Sequence, residues 1–103
     1  MSGQDLMNEL AAKVGLLDTA LRKLGERGRS HAQAERDYRV ALAQKILIER
    51  DKGTPVTIIS DICRGSAEIA AKKFARDCAE TNYDAAKEAI NTYKLQIRIL
   101  ENQ

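Results

Sequence analysis

A single interruption of helical character, Gly53 to Ser66 (GTPVTIISDICRGS), constrains the fold of this chain more than any other feature. It contains the only proline, Pro55, and separates two long segments in which apolar residues recur at spacings of three and four. This spacing is typical of amphipathic helices, because a helix makes one turn in about 3.6 residues. The sequence therefore predicts one all-α domain, 1–103, whose long, short and long helices lie at about 5–52, 55–63 and 67–102.

Turn and capping residues support a short helix inside this stretch. Gly53 is free to adopt the left-handed conformation that ends a helix. Thr54 is a good N-cap for a helix that begins at Pro55, and Ser66 can cap the helix that follows. Three apolar residues of the short helix are predicted to share one face: Val56, Ile59 and Ile62. The run VTII also has strand propensity, but the sequence offers no second strand for it to pair with.

The last long segment has more apolar surface than one partner helix can cover. One stripe runs through Ala79, Tyr83, Ala86, Ile90, Tyr93, Ile97 and Leu100. A second stripe runs through Ala67, Ala71, Phe74, Cys78, Ala85 and Ala89. Two long helices joined by a short connection fold back antiparallel and bury only one seam between them. We therefore expect a long antiparallel helical hairpin that oligomerises, at least as a dimer, into a bundle of four or more long helices.

The apolar seam of the first long segment turns polar midway. Its apolar part comprises Leu10, Val14, Leu17, Leu21 and Leu24. The same register continues through Gly28, His31, Glu35, Tyr38, Leu42 and Lys45. Gly25 and Gly28 admit a break with a new start at Ser30, which would favour a compact monomeric bundle. Since two glycines cost only about 1 kcal/mol each relative to alanine, we favour one helix.

The composition argues against several classes of function. Charged residues make up 31% of the chain and the net charge is +2, unlike an acidic DNA mimic or a strongly basic coat protein. His31 is the only histidine, and Cys63 and Cys78 lack the spacing of metal ligands, so no metal, cofactor or catalytic constellation is expected. Cys78 is expected to be a small buried side chain. Free thiols and the lack of a signal peptide or membrane span predict a cytoplasmic protein. The lack of a catalytic constellation predicts that it is not an enzyme.

Polar side chains of both long segments are predicted to meet at mid-length. Antiparallel pairing about the central turn sets Tyr38 and Glu35 near Tyr83, and it sets Arg39 near Arg76. These groups either form ion pairs that fix the register of the helices or line a ligand pocket. Both interpretations remain open from the sequence.

Phosphorylated ligands suit such a pocket because arginines are also placed beside a helix start. Arg64 and Ser66 precede the last long helix, whose free N–H groups favour negative charge. Arginines pair with phosphate oxygens, and tyrosines stack on bases. The residues predicted to bind a phosphorylated nucleotide are Arg64, Ser66, Lys73, Arg76, Arg39, Tyr38 and Tyr83.

A helix-turn-helix reading is the alternative for the same region. TPVTIISDIC, RGS and AEIAAKKFARD would supply a short helix, a turn and a recognition helix. That recognition helix presents Ile69, Phe74 and many alanines, and no basic stripe accompanies it. Sequence-specific DNA binding is therefore not expected.

Three segments carry a resemblance to known proteins: YRVALAQKIL, RDKGTPVTIISDICRG and KFARDCAETNYDAAKEAINTYKLQIRILENQ. With them, the chain from Glu35 to Gln103 resembles small all-helical accessory and early proteins of phages and prophages of Gram-positive bacteria. The resemblance implies a phage protein in the host-cell cytoplasm that acts by binding. In that context it would sequester a phosphorylated nucleotide signal as a counter-defence, or alternatively occlude a host defence protein or phage complex.

Overall fold

The computed structural model describes residues 2–103, which are almost entirely helical. The helices are α1 at Gly3–Asp51, α2 at Val56–Gly65 and α3 at Ala67–Glu101. Residues 2–103 contain no strand, so the all-α prediction is confirmed and the strand reading of VTII is wrong. α1 continues through Gly25 and Gly28 without a break, as favoured from the sequence. Within the described chain, no helix has an apolar stretch long enough to span a bilayer.

The chain divides into two compact units, each built from a part of α1 and a part of α3. The first unit contains the chain up to Gly28 together with Asn82–Gln103. The second unit is Arg29–Thr81 and includes the whole of α2.

In the first unit the segments of α1 and α3 run antiparallel. Glu9 and Gln96 line one groove, and at the other end of these segments Gly28 lies against the ring of Tyr83. The buried residues of this unit are Ala20, Ile90 and Leu100. This core is small, with two large aliphatic side chains and one alanine buried.

The second unit is also antiparallel and contains most of the buried side chains. Glu35 of α1 forms an ion pair with Arg76 of α3. Gln44 and Glu68 line one groove nearer the connection. Its buried residues are Tyr38, Glu49, Ile59, Cys63 and Ile69. Antiparallel pairing of the two long helices is thus present in each unit.

The inward stripe of α3 predicted from Ala79 to Leu100 is confirmed, since every member is buried or half-buried. The predicted seam of early α1 is correct at three residues that are half-buried, Leu10, Leu17 and Leu24. It is wrong at Val14 and Leu21, which are 46% and 47% exposed. Lys13 and Ala20 lie inward in their place. Ala20 lines the same groove as three alanines of α3, so small side chains occupy this part of the seam.

The connection between α1 and α2 is closed by Gly53 and Glu49. Gly53 has φ of +82°, the left-handed conformation predicted for it. Thr54 is not the N-cap of α2: that position is Pro55, which makes no side-chain capping bond, and α2 begins one residue later than predicted. The Thr54 hydroxyl instead donates to Glu49 Oε2 at 2.8 Å, and the Thr54 N–H donates to the Glu49 carbonyl at 3.1 Å.

Glu49 is the one buried charged residue among those described, and it is surrounded by donors. Besides Thr54, the ammonium groups of Lys52 and Lys45 lie 3.5 and 3.9 Å from Glu49 Oε1. The Thr54 hydrogen bond, followed by the two lysines, lowers the pKa of the Glu49 carboxyl below its usual value of 4.5, against the opposing effect of burial. The ionised carboxylate therefore stabilises the end of α1.

Replacing Glu49 by glutamine is expected to lower the urea midpoint of unfolding near neutral pH and to have a smaller effect in acid. A depressed pKa in the folded state gives stability that is present above pH 4.5 and is lost as the pH falls through the folded-state pKa. Urea titrations of both proteins at about pH 7 and about pH 3 measure this difference. Glu80→Gln, at an exposed carboxylate, is the control; an equal loss at both pH values would contradict the assignment.

Ser66 joins α2 to α3 and caps α3, as predicted. Its hydroxyl donates to the carbonyl of Cys63 at 2.9 Å and accepts from the N–H of Ile69 at 3.4 Å. Cys63 and Ile69 are themselves fully buried. The junction is therefore fixed by a hydrogen-bonding side chain flanked by two core residues.

Candidate functional site

The second unit brings together three of the residues predicted to bind a ligand: Tyr38, Arg39 and Arg76. Glu35 connects them, because Arg39 Nε donates to Glu35 Oε1 at 2.7 Å and Arg76 Nε lies 3.4 Å from Glu35 Oε2. The Arg76 guanidinium also lies over the buried Tyr38 ring, 4.7 Å from its centre. Asp77 supplies a further partner at 3.0 Å.

Carboxylates on two sides already satisfy the charge of Arg76. The hydrogen bond to Asp77, with smaller contributions from Glu35 and Tyr38, raises the pKa of Arg76 above its usual value. The hydrogen bond from Arg39, with Arg76 and His31 nearby, lowers the pKa of Glu35. Both shifts favour the charged forms of Glu35 and Arg76, so the cluster matches an ion-pair network that fixes register. A phosphate would have to compete with Glu35 and Asp77 for the same guanidinium.

The register of this pairing differs from the predicted one by about one helical turn. Arg76 was expected opposite Arg39 and instead meets Glu35 and Tyr38, which lie earlier in α1. α2, which connects the two long helices, buries Ile59 and Cys63 in the same unit.

The other predicted ligand residues of the second unit lie apart from this cluster. Arg64 belongs to the last turn of α2 and Ser66 to the junction. Along α3, Ser66 and Arg76 are separated by about 15 Å. Lys73 is exposed, and within residues 2–103 neither Lys73 nor Arg64 takes part in an ion pair. One ligand of nucleotide size does not span all four side chains.

Tyr83 belongs to the first unit and packs there against both helices. Its Cε1 atom lies 3.3 Å from the position that a Cβ at Gly28 would occupy. The ammonium group of Lys87 lies 4.2 Å from the Tyr83 ring centre. The close approach of the ring to α1 explains why glycine is present at position 28.

The second apolar stripe of α3 is exposed where it crosses the second unit. We define the outer α3 face as Ala67, Ala71, Phe74 and Cys78, all of them exposed. Phe74 is 70% exposed, and it lies about 140° around the helix from the buried Ile69. The expectation that Cys78 is buried is therefore wrong: α1 covers the opposite side of α3, and a hairpin has no second helix for this face.

α2 also presents apolar side chains to solvent. Of the three residues predicted to share one face, only Ile59 is buried, whereas Val56 and Ile62 are 77% and 41% exposed. Cys63 completes the inward face in their place, four residues after Ile59. Ile58, 44% exposed, adds to the outward side.

The helix-turn-helix reading differs from the observed geometry at the turn. Arg64 and Gly65 belong to α2, so Ser66 alone separates α2 from α3. A DNA-binding helix-turn-helix uses a turn of about three or four residues. Nothing in the junction therefore places α3 as a recognition helix.

A groove in the first unit was not foreseen from the sequence. It has a volume of about 300 Å³ and contains the cations Lys23 and Arg27 beside Tyr93. The remaining lining residues are mostly small or apolar: Leu16, Thr19, Ala20, Ala85, Ala86 and Ala89. The sequence signal is a basic pair one turn apart opposite an alanine cluster, and it becomes visible only once the helix register is known.

Within residues 2–103, no three His, Cys, Asp or Glu side chains are grouped so as to hold a metal ion. Comparison of the chain with protein-family models, curated proteins and solved structures finds no match.

Proposed function

We propose that this protein is a non-enzymatic helical module that acts by binding, and that a second copy of the chain covers its outer α3 face. The observation that carries this proposal is Phe74, a large aromatic side chain that is 70% exposed amid small residues. A knob flanked by small side chains suits close packing with another helix. Isolated apolar residues on a surface are common, but this one lies in a continuous stripe.

The surface area of the chain supports a further interface. The accessible surface is 7251 Å², whereas a compact monomer of 11.4 kDa exposes about 5,800 Å². The difference of about 1,450 Å² exceeds the roughly 800 Å² that each partner buries in a standard protein interface. A standard interface with a second copy would remove a little over half of this excess.

The charges beside the outer α3 face suit an antiparallel copy. Lys73 and Asp77 lie one turn apart on the same flank of the helix. When two such helices run antiparallel about a point between Phe74 and Cys78, the lysine of each approaches the aspartate of the other. These pairs would be worth little energy at the surface, but they favour one orientation over the parallel one.

Occlusion of another protein is the activity that this architecture supports best. A self-associated module would still present the apolar side chains of α2, Val56, Ile58 and Ile62, to a partner. The resemblance to phage accessory proteins suggests a host or phage complex as that partner. Sequestration of a phosphorylated nucleotide at Arg76 and Arg39 is less favoured, because both arginines are paired with carboxylates.

Size-exclusion chromatography with light scattering tests the proposal. The protein is expected to have at least twice its chain mass of 11.4 kDa at micromolar concentration. Phe74→Glu is expected to give the monomer mass, because a charge replaces the central apolar contact. Ala75→Glu, one residue along and off the stripe, introduces the same charge and should leave the oligomer intact. A monomeric parent protein, or equal masses for the two variants, would exclude this interface.

A further inference from the structure

We infer that the groove in the first unit binds a small organic phosphate of about mononucleotide size. The groove lies between α1 and α3 and has a volume of about 300 Å³, at the lower end of the range for small-molecule sites. The inference does not rest on self-association, because every residue that carries it belongs to the first unit.

Side-chain size explains why a groove exists here. Ala20 of α1 faces Ala85, Ala86 and Ala89 of α3 around this space. Protein interiors are normally filled to the density of organic crystals. Four alanines around one space leave room that leucine or isoleucine would have filled, and the room is open to solvent on one side.

The charge around the groove is complementary to an anion. Lys23 and Arg27 are one turn apart on α1, so both can reach the same bound group. No carboxylate lines the groove. Within residues 2–103, neither cation takes part in an ion pair, in contrast to Arg39 and Arg76. Two unpaired cations bind a phosphate monoester without having to break an existing ion pair.

The remaining lining favours an apolar or planar body attached to that phosphate. Tyr93 is half-buried and offers a ring against which a planar group can stack. The alanines and Leu16 supply an apolar floor. An inorganic phosphate would use only the two cations, whereas an organic phosphate would also bury its body against Tyr93 and the alanines.

Titration of the ¹⁵N-labelled full chain with adenosine 5′-monophosphate and with phenyl phosphate tests the site. We expect saturable shifts of the amide signals of Ala85, Ala86 and Ala89. We also expect affinity at least about tenfold higher than for inorganic phosphate or adenosine. Lack of saturable shifts with both organic phosphates would overturn the proposal, and so would inorganic phosphate binding equally well.

Two kinds of variant separate the charge from the shape of the groove. Lys23→Gln with Arg27→Gln should weaken binding at least about tenfold. Lys94→Gln with Arg98→Gln, an exposed basic pair of the same spacing on α3, should not change it. Ala85→Phe keeps both cations but fills the groove, and it should weaken binding to a similar extent. Circular dichroism checks that each variant keeps its helicity. The proposed site would be overturned if the Lys23/Arg27 variant bound as well as the Lys94/Arg98 control. Normal binding by Ala85→Phe would also overturn it. Light scattering on the same samples reports self-association separately.

Discussion

Replacement of Ile69 by alanine is expected to lower the free energy of unfolding by about 2–5 kcal/mol, the range for removing a buried isoleucine side chain. Ile69 is 1% exposed and, with Cys63, is one of the two large side chains described as fully buried. It follows the Ser66 junction directly, where α2 and α3 are held together. Urea unfolding followed by circular dichroism measures the loss, at one fixed protein concentration because association would add to the apparent stability.

Ile99→Ala provides the matched comparison in the same helix. Ile99 is 52% exposed, so its replacement should change the free energy of unfolding by less than about 1 kcal/mol. Similar losses for the two variants would mean that Ile69 does not occupy the core position that the structure gives it.

Replacement of Gly28 by leucine is expected to destabilise the first unit by about 1–3 kcal/mol, as is usual when a well-packed contact is overfilled. A Cβ at this position would lie 3.3 Å from Tyr83 Cε1, and the rest of a leucine side chain would have to displace the ring. The gain in helix propensity, about 1 kcal/mol, offsets only part of this cost. The urea midpoint measures the net effect.

Gly15→Leu separates steric overlap from helix propensity. Gly15 lies in the same helix, and a Cβ there would have no neighbour within 4 Å. This variant should be as stable as the parent protein or more stable by up to about 1 kcal/mol. If Gly28→Leu were as stable as Gly15→Leu, the contact with Tyr83 would not be the reason for the glycine.

The elements of the fold were predictable from the sequence because the signals at their ends are local. Gly53 and Ser66 act within a few residues of their own positions, and both behave as predicted. Thr54 does not, because the buried Glu49 carboxylate offers its hydroxyl a better partner than the start of α2. No spacing rule in the sequence indicates that Glu49 is buried.

The pairing of the helices was predictable only to within about one turn. In early α1, apolar spacing favoured Val14 and Leu21, but the seam uses Lys13 and Ala20. Both choices share Leu10, Leu17 and Leu24, so the spacing of these three leucines alone does not distinguish them. The outcome depends on which side chains α3 presents at the same level, and the α1 sequence does not contain that information.

Of the two candidate sites, one was predictable in part from the sequence and the other was not. Arg39 and Arg76 were predicted to lie together and are both bound to Glu35, but Arg76 is shifted by about four residues and contacts Tyr38. The groove beside Lys23 was not predicted, since it results from side-chain volume that is missing on two helices at once. An unfilled space between two helices cannot be predicted from the sequence of either helix alone.

The two cysteines of this chain differ in solvent access. Cys63 has 0% exposure, whereas Cys78 lies on the surface. An alkylating reagent therefore reaches Cys63 only when the core has opened, whereas it reaches Cys78 in any folded chain whose outer α3 face is not covered by a second copy. The extent of Cys63 alkylation, measured by mass spectrometry, therefore reports opening of the core without any engineered label.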